Sequence, residues 1–214
     1  AAGADGLRRG EVARSSTRGG RMVRELTNGG ADALAWFRGG AWPRRVFLVL
    51  AGTVLLAASA WIEVPMVPVP MTMQTFAVVL IGAVYGWRLG GATVAAYLAQ
   101  GAVGLPVFAG GAFGAAHLIG PTGGYLFAFV AVAAAVGWCA ERGLAKTAVS
   151  AFAVMLAGHL AILALGVSWL ATLTGMGLAQ AAAVGATPFL FGMVLKSALA
   201  AACLRLLARP RRTG

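Results

Sequence analysis

The sequence predicts an all-α integral membrane protein: a bundle of six transmembrane helices with a structured, glycine-rich outer loop and both termini in the cytoplasm. Three observations carry that reading. The 214-residue chain is 60% hydrophobic and only 11% charged, with a mean hydropathy of +0.84, far beyond the range of a water-soluble domain. Its apolar residues gather into runs of the length, roughly 17 to 25 residues, at which a helix pairs its own backbone groups across the hydrocarbon. Its basic residues lie mostly outside those runs, nine of the seventeen in the first 45 positions and four more from Arg205 to Arg212. The net charge of +11 therefore reads as basic flanks held near an anionic leaflet, not as a nucleic-acid surface.

Residues 1–43 are rich in Arg and Gly and carry no long apolar segment of the kind a secretory signal requires, so they are expected to form a disordered cytosolic extension. The membrane domain, 44–208, divides into spans of about 45–62, 71–86, 88–103, 122–141, 146–167 and 186–207, and a basic cytosolic tail follows at 209–214. Only Gly86-Trp87-Arg88-Leu89-Gly90 separates the second span from the third. The residues between spans give the direction. Arg44 and Arg45, Arg88, Arg142 and Lys146, and Arg205 to Arg212 fall on one side, while the loops of the other side hold a single charge, Glu63. Because Lys and Arg are retained in the cytoplasm, an even number of helices with both ends inside the cytoplasmic (inner) membrane follows. Small residues four apart, as in Gly86 and Gly90, Ala92 and Ala96, or Ala198 and Ala202, let helices approach closely. Cys139 and Cys203 lie within apolar runs with no His or Cys at ligand spacing, so neither a disulfide framework nor a metal site is expected.

Between the third and fourth spans, Gly104 to Pro121 is uncharged apart from His117, glycine-rich, and broken by proline at both ends. It is too interrupted to be a span. Irregular backbone near membrane depth is tolerated where it is buried in protein or lines a cavity. Glycine there lets the backbone come close to a ligand, and Phe108, Phe113 and Tyr125 supply an apolar wall. A tight re-entrant connection without a ligand is the alternative.

Three blocks are more specific. "VPVPMTMQTFAVVLIGAVYG" (Val67 to Gly86), "YLAQGAVGLPVFAGG" (Tyr97 to Gly111) and "GPTGGYLFAF" (Gly120 to Phe129) closely resemble the BioY family, the biotin-binding S components of energy-coupling factor (ECF) transporters. The resemblance covers about 45–207, in order and with compatible spacing. It implies a six-helix protein that captures biotin from the outer side and works with a transmembrane coupling protein and cytosolic ATPase subunits. No cofactor is implied, biotin being the transported ligand, and no nucleic acid. Carried over residue by residue, the implied substrate-binding set is Gln74, Phe108, Gly110, Gly111, Tyr125 and Lys196, to which His117 adds the ionisable side chain of the loop. Thr53 and Ala57 are a candidate small-residue pair for docking the coupling protein. Two positions depart from the family pattern. This chain reads "PFLFGMVLK" from Pro188 to Lys196 where members often have PFLPGDLLK, so Met193 replaces an acid and Phe191 a proline; and Ala112 followed by Phe113 stands where some members have an Arg.

Each site residue also has a structural reading. Gln74 satisfies backbone groups at a helix start, Tyr125 joins Trp61 and Trp169 as a belt aromatic, and His117 faces solvent. His159, mid-helix without a carboxylate in its own span, reads as a hydrogen-bonded core residue. Lys196 is different. It lies about ten residues into the sixth span, too deep to snorkel comfortably, and an ammonium at a helix centre costs roughly 2.5 to 3.5 kcal/mol on insertion scales. With Glu63 and Glu141 out of obvious reach, the resemblance makes the ligand its counter-charge, through the carboxylate or the ureido carbonyl of biotin. An enzyme is disfavoured: the membrane region has no carboxylate dyad, no HExxH and no phosphate-cradling GxxxxGK[ST]. A stand-alone secondary transporter, or an S component for another small vitamin, is the remaining alternative, and the former lacks the mid-membrane acids of an ion relay.

Overall fold

A computed structural model of the chain describes residues 37, 38 and 40–208. Helix α1 runs Trp42–Trp61, opened by Pro43 in its first turn, where a missing N–H costs nothing. A two-stranded antiparallel ribbon follows, β1 Glu63–Val64 against β2 Met71–Thr72, with Glu63 opposite Thr72. Helix α2 spans Gln74–Ala102. The glycine-rich loop contains a 3₁₀ turn at Ala109–Gly111 and the single-turn helix α3, Ala115–Leu118. Then come α4, Gly123–Glu141, and α5, Ala148–Thr174. The chain closes with α6, Leu178–Gly185, a 3₁₀ turn at Thr187–Phe189 and α7, Leu190–Leu207. Among the described residues, five helical stretches are long and apolar enough to cross a membrane: α1, α2, α4, α5, and the run from Leu178 to Leu207.

The expected second and third spans thus form one helical stretch by hydrogen bonding, yet that stretch is not straight. Gly86 sits at φ 82°, ψ 174°, outside the helical region. Gln74 Nε2 bonds the Tyr97 hydroxyl, although 23 residues of straight helix would hold them roughly 34 Å apart. A Cβ on Gly90 would likewise lie 3.0 Å from Gly82 Cα. The chain therefore reverses at Gly86 into a tight helical hairpin. Gly90 lies against Gly82 across the hairpin, a close approach of the kind that small residues allow. Helix α4 packs into this hairpin through glycine: Gly82 abuts the Ala133 carbonyl, and a Cβ on Gly137 would meet Gly86 C and Trp87 N at 2.6 Å. Glu141 closes the turn by accepting a hydrogen bond from the Trp87 amide at 3.3 Å.

Helix α5 starts on a capping box between Thr147 and Ser150 and ends at Gly175 in the left-handed conformation. It runs about two turns beyond the expected end at 167, because nothing in Ser168 to Thr174 breaks a helix. The expectations for 1–36 and 209–214 lie outside the described residues. Phe37 and Arg38 are described, and they pack on the bundle: Phe37 stacks on Tyr85, and Arg38 Nη2 donates to the Ala83 carbonyl at 2.8 Å. The boundary of the packed domain therefore precedes residue 44. Helix α1 turns Gly52, Thr53, Leu56, Ser59 and Ala60 toward α2, leaving Phe47, Leu50 and Val54 exposed.

Candidate functional site

A cavity opens beneath the glycine-rich loop, where α2, α4, α5 and α7 meet the β-ribbon. Its walls include Thr72, Gln74, Phe108, His117, Tyr125, His159, Met193 and Lys196. Most of the lining is apolar. The polar groups are few and held.

Gln74 opens α2, and its amide N–H is received by the Thr72 hydroxyl at 3.2 Å. Its side chain bonds both that hydroxyl and the Tyr97 hydroxyl, which in turn donates to the Val107 carbonyl at 2.7 Å. The Gln74 side chain therefore bonds other side chains and not the backbone groups of the helix start, which Thr72 serves instead, and it lines the cavity. Tyr97 lies across the reversed hairpin from Gln74, so the turn at Gly86 makes this network possible.

Lys196 is 9% exposed, and its ammonium donates to the Thr72 carbonyl at 2.6 Å. A backbone carbonyl of the ribbon takes one of its three hydrogens, leaving two, and brings no counter-charge. Helical side chains lean toward the helix N-terminus, and here that lean carries the amine from α7 to the loop end. Glu63 pairs with Thr72 across the ribbon, but its carboxylate turns toward Gly110.

Phe108 is fully buried, edge-on to Tyr97 and stacked on His117 with centroids 5.2 Å apart. Its ring fills a notch at Gly101 that leaves no room for a Cβ. His117 is half-buried, 3.2 Å from the Thr122 hydroxyl, and burial pulls its pKa below the ordinary value. It is not simply solvent-facing. Tyr125 is buried against Gly166 and donates to the Gly185 carbonyl at 2.8 Å, so it lines the cavity with its ring and is no belt aromatic.

Four expected residues fall elsewhere. Gly110 and Gly111 are not among the lining residues, Ala109 taking their place, and a Cβ on Gly111 would meet nothing within 4 Å. Their positive φ, 63° and 73°, shapes the loop. Thr53 is buried in the packing of α1 on α2, donating to Leu50 O and accepting from Gln100 Nε2, and Ala57 packs half-buried against the core. Small side chains here serve internal packing, so this pair presents no free docking face. Trp169, expected in the interfacial belt with Trp61, instead covers Gly124 and donates to the Gly120 carbonyl at 3.0 Å, pinning the loop to α5. Trp61 is exposed.

The sequence reading passed over Thr72, Tyr97 and Ser197, and read His159 as a hydrogen-bonded core residue, which leaves out its place on the cavity wall. Thr72 and Tyr97 sit in the quoted blocks and carried a signal. His159 carried a stronger one, since an ionisable side chain inside a span is functional by default. It is 2% exposed, with Nδ1 2.9 Å from the Met155 carbonyl and 3.0 Å from Ser197 Oγ. Among the described residues no group of three or more His, Cys, Asp or Glu could hold a metal.

The comparisons with known proteins agree. The BioY family model matches residues 30–213. The biotin transporter BioY of Thermotoga maritima is 41% identical over 160 residues, covering 72% of this chain and 90% of that protein. A probable biotin transporter BioY of Pyrococcus horikoshii is 38% identical over 157 residues, covering 73% and 91%. BioY2 of Lactococcus lactis subsp. cremoris, also a biotin transporter, is 36% identical over 152 residues, covering 71% and 83%. In three dimensions the chain resembles the crystal structure of the S-component for biotin from an ECF-type ABC transporter, with a TM-score of 0.69 at 23% identity, over 82% of this chain and 96% of the other. That likeness establishes the fold, and the family model together with the sequence relatives establishes the lineage: the chain belongs to the BioY family.

Proposed function

We propose that this chain captures biotin at the outer face of the cytoplasmic membrane and passes it inward as the substrate-binding S component of an ECF-type transporter. It is a transport protein and not an enzyme, as the biotin-transporter relatives are. The observation that carries the reading is the polar wall of Lys196, Thr72 and Gln74 inside a mostly apolar cavity roofed by the glycine-rich loop. Such a site suits a ligand with an apolar fused-ring body and polar ends. Lys196 contacts a biotin oxygen, of the carboxylate or of the ureido carbonyl, Gln74 and His117 border the polar groups, and Phe108 and Tyr125 enclose the rings. A coupling protein and cytosolic ATPases supply the energy.

The reversal at Gly86 supports six membrane passes, since it divides the long α2 stretch into two antiparallel arms. Cytoplasmic termini are supported by the end of the bundle opposite the loop, where Arg88 lies over Trp87 and Arg142 over Trp138, at 4.9 and 4.5 Å. Tryptophan paired with arginine at one end marks an interface on the side that retains positive charge. The test is equilibrium binding of radiolabelled biotin to the purified chain in detergent. Retention of biotin that excess thiamine or riboflavin does not displace is expected; retention of another vitamin instead would sink the reading.

A further inference from the structure

His159 is held in one tautomer by its surroundings. A carbonyl oxygen has no hydrogen to give, so the 2.9 Å contact between Nδ1 and Met155 O requires Nδ1 to be the protonated nitrogen. Ser197 agrees: its hydroxyl hydrogen goes to Met193 O at 2.8 Å, leaving Oγ to accept from the same Nδ1–H at 3.0 Å. A neutral ring also avoids burying a second cation in the cavity that holds the Lys196 ammonium. Nε2 is then a bare acceptor. It is buried, has no hydrogen-bond partner among the described residues, and belongs to a ring that lines the cavity. A buried acceptor without a partner is costly, and a guest that supplies a donor removes the cost.

The cavity therefore offers an acceptor, His159 Nε2, and a donor, the two uncommitted hydrogens of Lys196 Nζ, on side chains joined through the adjacent Ser197. A carboxylate cannot use both, since it only accepts. A cyclic urea can, because an N–H and a C=O share one carbon. We infer that His159 is a specificity-determining residue whose Nε2 accepts a ureido N–H of the ligand while Lys196 donates to the carbonyl oxygen of the same group. This rests on the biotin-capture reading and deepens it by fixing which end of the ligand meets α5 and α7. Met193 lines the same cavity with no acceptor of comparable strength, which leaves His159 Nε2 as the acceptor beside Lys196.

The test compares biotin with the two cyclic carbamate analogues in which one or the other ureido N–H is replaced by a ring oxygen, nearly unchanged in shape. Each is titrated into the purified full-length chain and into His159→Phe. For one analogue the wild type is expected to lose at least tenfold in affinity relative to biotin. His159→Phe should bind biotin at least tenfold more weakly and show no further loss with that analogue. An equal loss in both proteins, or unchanged biotin affinity in the variant, overturns the role of His159 while leaving biotin capture intact; failure of the wild type to bind biotin overturns both. A second readout needs no variant. The chain has two histidines, and ¹⁵N spectra of histidine-labelled protein should show one ring protonated at Nδ1 and bare at Nε2, with the Nε2 signal moving on addition of biotin but not of the discriminating carbamate. A ring protonated at Nε2 in the free protein, or an Nε2 signal indifferent to biotin, overturns the inference whatever becomes of the variant.

Discussion

The two ends of this bundle solve opposite problems with the same helices. At the Gly86 end, the two arms of α2 meet at Gly82 and Gly90, and α4 meets them backbone to backbone at Gly82 and Gly137, with no room for a Cβ. At the loop end the same helices present Gln74, Tyr97 and Tyr125, whose polar tips are fastened to Thr72, Val107 O and Gly185 O. Large side chains tied at their tips cannot collapse, and a cavity remains. Space for a ligand is thus made by hydrogen bonds that hold walls apart, not by leaving residues small. The glycine end gives those walls a rigid base, since packing without slack transmits strain rather than absorbing it.

The comparison breaks most severely at Gly137. A Cβ there would meet backbone atoms of Gly86 and Trp87 that have nowhere to move. Gly137→Val should cost more than the roughly 1 to 3 kcal/mol of ordinary overpacking and remove the monodisperse peak in size-exclusion chromatography. A variant that elutes and melts like the wild type would mean that this end has slack. At the other end, Lys196→Met should keep or raise the melting temperature, because it removes a buried charge, while weakening biotin binding at least tenfold, about 1.4 kcal/mol. Unchanged affinity would make the loop-end polar groups structural only.

A smaller effect is expected at Gly111. The sequence suggests that bulk at this position fills the site and abolishes binding, but a Cβ there points into open space. The cost of Gly111→Val is then backbone strain at φ 73°, about 1 to 2 kcal/mol, and Gly111→Asn, which tolerates that conformation, should recover most of the lost melting temperature and binding. Equal loss with both would show that the position touches the ligand. The mildest test is pH. Burial lowers the His117 pKa from its usual value of about 6.5, so the fold favours the neutral ring. That contribution is complete above about pH 6.5 and is lost as pH falls through the depressed value. On acidification through that window the melting temperature of the wild type should decline more than that of His117→Gln.

The membrane spans were legible because hydropathy acts over whole runs of residues, while the end of α5 was not, since Gly175 stops it about two turns past the expected 167. The reversal at Gly86 was legible only as a boundary, since a single positive-φ glycine decides it and neighbouring apolar residues look the same on either side. In the site, Gln74, Phe108, Tyr125 and Lys196 could be named from their blocks. Gly110 and Gly111 were misplaced because a glycine needed for loop geometry and one that admits a ligand have the same letter. Thr53 was misassigned for a related reason: small residues four apart mark close packing without saying whether the neighbour is the chain's own helix. His159 was read as a hydrogen-bonded core residue, and it is bonded in the core, but its contact with Ser197 joins two helices distant in sequence and left no local signal.

Phe108 adds a matter of timing. Its ring is fully buried, seated in the Gly101 notch between Tyr97 and His117, so any motion that lifts the loop must first withdraw the ring. Exposing a buried aromatic of that size costs roughly 1.5 to 3 kcal/mol, which as an added barrier slows opening about ten- to a hundredfold. The cost falls on entry and exit alike. Residence of a captured ligand is then lengthened without any change in how tightly it is held, which gives a slow downstream partner time to arrive before the ligand escapes to the side it came from.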